Sequence, residues 1–258
     1  MDIASWNVNS LNARQEHLLA WLGSRRPHLV ALQETKLEDH RFPDGEIAAL
    51  GYRSVFAGQK TYNGVALLAR VDAMPAFADV QIGIPGFADE QRRVIAATVG
   101  DLRIVNLYVV NGQAVGSDKF DYKLRFLGAV QAWLAEEIRR HPKLVVLGDF
   151  NIAPDDRDVH DPKAWEEQIL CSTPEREALG RLLALGLQDS YRLKHEEGGV
   201  FSWWDYRAAG FRRNLGLRID LVLVSDALAG SCTAAWIDRE PRTWERPSDH
   251  APVLLTLG

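Results

Sequence analysis

Short apolar runs that break off at a polar residue recur through this chain, and they limit the folds open to it. The sharpest is Val145-Val146-Leu147-Gly148-Asp149-Phe150-Asn151. An apolar run of that length reads as a buried strand. It breaks at Gly148 and presents Asp149 and Asn151 two residues apart. Alternating side-chain direction aims both at one spot while Phe150 faces away. A carboxylate beside an amide suits a divalent cation, an attacking water or a phosphoryl oxygen. A turn closing a strand has the same composition, so the meaning of this pattern depends on the other runs.

Those runs alternate with helical patterns. Residues 2–8 read as a strand ending at Asn7, and Leu29 to Gln33 as a second with Glu34 at its end. Residues 13–25 carry Leu18, Leu19, Trp21 and Leu22 at helical spacing, with Pro27 after the stop. Residues 38–50 read as loop plus a short helix, and Gly64 to Ala69 as another strand. Runs 93–99 and 102–110 flank Gly100-Asp101, a hairpin signal. The longest helical pattern covers 118–140 and stops before Pro142; a shorter one covers 175–185 and stops at Gly186. Arg218 to Val224 and Ala251 to Leu257 complete the strands. Two proline-containing stretches read as irregular, 71–91 and the polar surface loop 153–175. There is no linker and no fixed-period repeat. A chain of 258 residues is usual for one large α/β domain. The expectation is a mixed sheet, or two sheets, with helices outside.

Six polar residues border these runs. Asn7, Glu34, Tyr108 and Asp149 stand at C-terminal strand ends, and Asp220 and His250 near N-terminal ends. If the last two strands run antiparallel to the others, all six meet on one rim. Each has an ordinary alternative: a cap for Asn7, a solvated end for Glu34, a core ring for Tyr108. Asp220 inside a strand is harder to dismiss, because strands disfavour Asp and a half-buried carboxylate needs a partner. His250 is available for that. Six independent accidents is the weaker account.

Such a set supports metal-assisted hydrolysis of a phosphate ester, with Mg²⁺ or Mn²⁺ on oxygen ligands. No Cys/His cluster suits zinc, no Gly-rich Lys-Ser/Thr loop suits nucleotide phosphates, and no Gly-x-Ser-x-Gly elbow is present. Cys171 and Cys232 lack metal-ligand spacing. Met1-Asp2-Ile3 does not lead into a basic and then apolar segment, so reduced thiols in a cytoplasm are expected. No stretch approaches the ~20 apolar residues of a membrane span. The net charge of −5 argues against a uniform nucleic-acid coat but leaves room for a local basic rim around an acidic site.

The motifs, taken together, resemble the exonuclease III family, the bacterial branch of the endonuclease/exonuclease/phosphatase superfamily. Trp6-Asn7-Val8-Asn9, Leu32-Gln33-Glu34-Thr35-Lys36, Leu107 to Gly112, Gly148 to Pro154, Gly216 to Asp220 and Ser248-Asp249-His250 occur in the family's order, across residues 3 to 257. Asp156 to Asp161 and Trp203-Trp204-Asp205-Tyr206-Arg207 resemble this branch in particular. The resemblance implies a four-layered α/β sandwich of two packed mixed β-sheets flanked by helices. It implies base excision repair of double-stranded DNA: cleavage 5′ to abasic sites, 3′→5′ exonuclease action and trimming of blocked 3′ ends.

By resemblance, Glu34 is the principal metal ligand, with Asn7 and Asp249 close to the ion and Asp149 and Asn151 as further candidates. Asp149 positions or deprotonates the water. Asn151 and His250 contact the scissile phosphate, Asp220 orients His250, and Tyr108 and Asn111 complete the clamp. Tyr108 or His250 as the base stays open. Trp203, Leu217 and Ile219 match the walls of a pocket for a base-free sugar, which excludes an ordinary base. Arg207, Arg212, Arg213 and Arg218 are expected on a basic rim, with Lys36, Arg92, Arg93, Lys119 and Lys123 as further phosphate contacts. Asn9 stands where some relatives carry an acid, and Val110 where a proline is common. The other readings are a phosphoesterase of the same superfamily acting on small-molecule or lipid phosphates, and a catalytically silent DNA-binding module. Nothing in the sequence calls for more than a monomer.

Overall fold

The computed structural model describes residues 1–258. In chain order its elements are β1 (Asp2–Asn7), α1 (Leu11–Arg25), β2 (Leu29–Gln33), α2 (Asp44–Ala49), β3 (Tyr52–Ala57), β4 (Val65–Arg70), β5 (Phe77–Ile82), β6 (Val94–Val99), β7 (Leu102–Tyr108), α3 (Asp118–Arg140), β8 (Leu144–Asp149), α4 (Thr173–Leu183), β9 (Leu187–Asp189), β10 (Trp203–Trp204), β11 (Gly216–Leu217), β12 (Asp220–Ser225), α5 (Asp226–Ala229), β13 (Cys232–Ile237) and β14 (Val253–Leu257). Two six-stranded mixed sheets result, ordered β13-β14-β1-β2-β4-β3 and β5-β6-β7-β8-β12-β9, and β10 pairs with β11 as a separate ribbon.

The period of 2 along each strand explains the layers. Ile3, Leu29, Ala31, Val145, Leu147, Val222 and Leu255 point between the sheets and form one apolar core. The alternate residues of the second sheet, such as Val105, Val146 and Leu223, pack under Phe126, Val130 and Leu134 of α3 and Leu179 of α4. Those of the first sheet, such as Ala4, Val30 and Leu68, pack under Leu18, Trp21 and Leu22 of α1 and Ile47 of α2. Helices thus cover both outer faces, which makes four layers.

The helix ends follow local chemistry. Ser117 accepts a bond from the Phe120 N–H and starts α3. At α4 the Glu175 carboxylate accepts the Ser172 N–H, with Pro174 in the first turn, so the helix begins two residues before the 175 expected from periodicity.

Direction settles where the polar strand ends go. β1 runs parallel to β2 and antiparallel to β14. β7 runs parallel to β8, and β12 runs antiparallel to β8 with Asp220 opposite Asp149. Tyr108 also lies opposite Asp149. Both late strands are reversed, and the six polar ends share one rim.

The strands β3, β5, β9 and β13 and the ribbon β10–β11 carry no clear signal in the sequence. The stretch read as irregular over 71–91 contains β5, which is the edge of its sheet. Its register against β6 shifts between Ala78 and Gln81, and Val80 and Ile82 are exposed. An edge with one solvated face and a bulge keeps little alternation to read.

Candidate active site

Asn7, Tyr108, Asp149 and Asp220 have the same parity as the residues that fill the inter-sheet core. They are the last layer of that core, made polar. One layer beneath, Gln33 Nε2 donates to Ser5 Oγ at 2.9 Å and to Asn106 Oδ1 at 2.8 Å, and Asn106 Nδ2 donates to the carbonyls of Leu32 and Ala66. This buried bridge pins β1, β2 and β4 to β7 just below the rim. Gly148 sets the height of Asp149. Its φ is +143°, and a Cβ there would lie 1.9 Å from the Leu107 carbonyl oxygen.

Asn7 Nδ2 donates to Glu34 Oε1 at 2.8 Å and to Asp149 Oδ2 at 2.9 Å, so one amide spans two carboxylates from opposite sheets. Asp149 Oδ1 accepts the Asn151 N–H at 2.9 Å. His250 Nε2 lies 3.8 Å from Asp149 Oδ2, and its Nδ1 lies 2.9 Å from Asp220 Oδ2. Ser202 Oγ donates to Asp220 Oδ2 at 2.6 Å while accepting the N–H groups of Ile219 and Asp220. Asn111 Nδ2 donates to Asn151 Oδ1 at 3.0 Å, and Asn151 Nδ2 to the Val109 carbonyl. Glu34 Oε2 meets Lys36 Nζ at 2.7 Å.

Burial raises the pKa of the Asp149 carboxyl to about 7; His250 opposes this, and the charges of Asp220 and Glu34 add to it. For His250, burial alone would lower the imidazole. The facing carboxylates of Asp220 and Asp149 overturn that and hold it up at about 10. The Tyr108 hydroxyl is pushed well above its ordinary range by burial, then by Glu34 and Asp149, against the Arg93 guanidinium 4.7 Å from its ring centre.

Oxygens of Glu34 and Asp149 and a nitrogen of His250 lie within 4.8 Å of one another. The donor set fits a hard divalent cation: two carboxylates, one of them buried with a strained charge that such a cation relieves. Asn7 orients both acids through its N–H groups. Asp249 lies beside this group with both oxygens engaged, Oδ1 by Asn9 Nδ2 at 2.8 Å and Oδ2 by Trp203 Nε1 at 3.0 Å.

The site opens into a pocket of about 340 Å³ lined by Glu34, Tyr108, Asn111, Asp149, Asn151, Asp249 and His250 on its polar side. Trp203 and Ile219 form part of its apolar side. Trp165, Ile169 and Leu170 form the rest. Those three come from the stretch read as surface loop, and the apolar pair Ile169-Leu170 beside Trp165 was the available signal. Leu217 is fully buried behind the pocket, packed with Val159 and Ile219. A larger cavity of about 700 Å³ lies between β5 and α3 and shares no residue with this site; its Asp79, Glu136, Glu137 and His141 do not converge as Glu34, Asp149 and His250 do.

Of the expected basic rim, Arg207, Arg212 and Arg213 are exposed, Arg207 pairing with Asp205 at 2.5 Å. Arg218 corrects the expectation. It is 1% exposed and binds Asp158 at 2.6 Å and Asp189 at 2.7 Å, so it braces the strand before Asp220 and touches no substrate. Lys123 is likewise completely buried.

Carboxylates gathered for a cation, beside an imidazolium and amides gathered for an oxyanion, define a hydrolase of phosphate esters. The comparisons agree. Residues 4–250 match the model of the Endonuclease/Exonuclease/phosphatase family. Exodeoxyribonuclease III of Haemophilus influenzae is 37% identical, over 98% of both chains. A 3′ phosphatase from Neisseria, solved with a product DNA hairpin, is 47% identical with a TM-score of 0.97, over 100% of this chain and 99% of that one. An AP endonuclease from Archaeoglobus fulgidus is 33% identical with a TM-score of 0.94, over the same shares. This chain belongs to the endonuclease/exonuclease/phosphatase family, on its exonuclease III branch.

Proposed function

We propose that this protein is a Mg²⁺-dependent DNA repair nuclease. It removes nucleotides and blocking groups from 3′ ends of duplex DNA and cuts 5′ to abasic sites. It acts in the cytoplasm as a monomeric, single-domain enzyme. The observation that carries this reading is the meeting of Asp149, His250 and Asn151, three chemically different groups, in one pocket at the open rim of the two sheets.

The roles follow from charge state. Tyr108 keeps its proton, and His250 is already charged, so neither is the base. Of the three pocket groups with raised proton affinity, Asp149, at about 7, is the one that sheds its proton in the neutral range, and it takes the proton of the attacking water. His250, held by Asp220 and Ser202, presents its charged ring to a phosphoryl oxygen. Asn111 and Asn151 each spend one Nδ2 hydrogen on the protein and keep the other for the phosphate. Tyr108 donates its hydroxyl. Glu34, with Asn7 and Asp249 beside it, would hold Mg²⁺, which would supply charge for the phosphoryl and leaving oxygens. The pocket's apolar wall of Trp203, Ile219 and Leu170 suits a sugar without its base, and this favours abasic-site incision as a further activity. The exposed arginines of the β10–β11 ribbon would grip flanking phosphates.

A labelled substrate panel tests the reading: a duplex with a plain 3′ end, one with a 3′-phosphate, one with an internal abasic site, and a soluble phosphate ester, each with Mg²⁺ or EDTA. Mg²⁺-dependent processing of the duplexes is expected. Turnover of the soluble ester alone would move the protein to small-molecule chemistry, and tight DNA binding without cleavage would make it a binding module.

A further inference from the structure

Two amides of the pocket hang from one buried ammonium. Lys123, in the second turn of α3, is completely buried. Its Nζ donates to the main-chain carbonyl of Asn151 at 2.7 Å, to that of Asn111 at 3.1 Å, and to the Glu175 carboxylate. An ammonium has three donors; all three are spent inside the protein, so Lys123 is not a phosphate contact. Glu175 uses its remaining capacity on the N–H of Leu170 at 3.0 Å and on the N–H and hydroxyl of Ser172 at 3.1 and 2.6 Å. One ion pair therefore joins α3, the start of α4, the end of β8 and both loops that wall the pocket.

The backbone shows what this junction holds. Asn151 has φ +50° and Leu170 φ +74°, a left-handed region that non-glycine residues occupy only when their surroundings enforce it. Lys123 and Glu175 enforce it from below. Both main-chain carbonyls on Lys123 belong to the residues whose side-chain amides face the pocket. A second buried pair on the same helix supplies the contrast. Arg103 binds Glu137 at 2.6 Å, but its other bonds go to the Asp79 carbonyl and Thr98 Oγ1, away from the pocket.

We propose that the Lys123–Glu175 pair is a positioning device for the nuclease reaction: it sets Asn111 and Asn151 against the scissile phosphate and fixes Leu170 in the pocket wall. This rests on the nuclease reading above. Neither residue touches the substrate; both act through the asparagines.

The test separates positioning from stability. Removing one partner of a buried pair strands the other, whereas removing both charges is often neutral for stability. Lys123→Met is therefore expected to lower Tm, and Lys123→Met/Glu175→Gln to recover it. In both, kcat on a 3′-labelled duplex at saturating Mg²⁺ is expected to fall on the order of 10²-fold with little change in KM, since a misplacement of about 1 Å costs that much. Without metal, the side-chain amide NMR signals of Asn111 and Asn151 shift in the double variant. Arg103→Met/Glu137→Gln changes neither kcat nor those signals. Recovery of kcat together with Tm in the Lys123/Glu175 double variant would overturn the proposal and leave a structural ion pair. If that variant does not fold, Lys123→Gln decides: lowered kcat at near-native Tm supports positioning, and unchanged kcat overturns it. Absence of Mg²⁺-dependent cleavage by the wild type would remove the nuclease reading as well, so the two failures are distinguishable.

Discussion

At the scale of single residues, the site is a set of charge states held by burial. His250 keeps its proton because the Asp220 and Asp149 carboxylates outweigh its desolvation. The sign follows. Its folded pKa, about 10, lies above the ordinary imidazole value of 6.5. The stability it adds is therefore complete below about pH 6.5 and fades as pH rises toward 10. Asp220→Asn removes the closest carboxylate. The alkaline limb of the kcat/KM profile is expected to move down by more than one pH unit, a change of about 1.4 kcal/mol per unit; a limb that stays put would show that His250 carries no catalytic charge. Arg218 tests burial without catalysis. Arg218→Met strips Asp189 of its ion pair and leaves Asp158 with Arg192 alone, and urea unfolding is expected to register a loss of about 3 kcal/mol. Asp220 was legible in the sequence because strands disfavour Asp, His250 as the partner available to it, and Asp149 because an apolar run breaks off there and the other strand ends carry matching chemistry. Arg218 was not, because nothing local distinguishes an arginine on a rim from one clamped by Asp158, some sixty positions away.

Among elements, legibility followed burial. The central strands β1, β2, β7, β8 and β12 have both faces covered and read as continuous apolar runs. The edges β5 and β13 alternate weakly, and the two-residue strands β10 and β11 exist through tertiary pairing, with each other and through bridges to His250 and Val159. The segment 153–175 read as loop because the order of most of it is tertiary. Ala153 N–H donates to the Leu170 carbonyl, and Glu175 gathers the far end by accepting the N–H groups of Leu170 and Ser172. A whole pocket wall was thereby missed, although its aromatic and aliphatic residues were in view. The contact between β7 and β8 depends on the missing side chain at position 148. Gly148→Ala would drive a Cβ into the Leu107 carbonyl. Loss of soluble folded protein, or a sharp fall in Tm with Asp149 displaced, is expected; a native-like Tm with full activity would contradict this account of the strand end.

For the whole molecule, two sheets are useful because each supplies half of the chemistry. Asn7, Glu34 and His250 come from the first sheet and its loops, and Tyr108, Asp149, Asn151 and Asp220 from the second. The Ser5–Gln33–Asn106 bridge keeps the halves in register. The reversed direction of β12 and β14 was a condition the sequence left open, and it is what brings the six polar ends together. The central claim is that Asp149 removes the proton from the attacking water. The most direct measurement is the pH dependence of kcat/KM for 3′-end cleavage of a labelled duplex in Mg²⁺, for the wild type and Asp149→Asn. A rate loss of about 10²–10⁴-fold, with the acidic limb flattened, is expected from removal of a general base. An Asp149→Asn enzyme that keeps the same acidic limb, or a near-wild-type rate, would contradict the assignment.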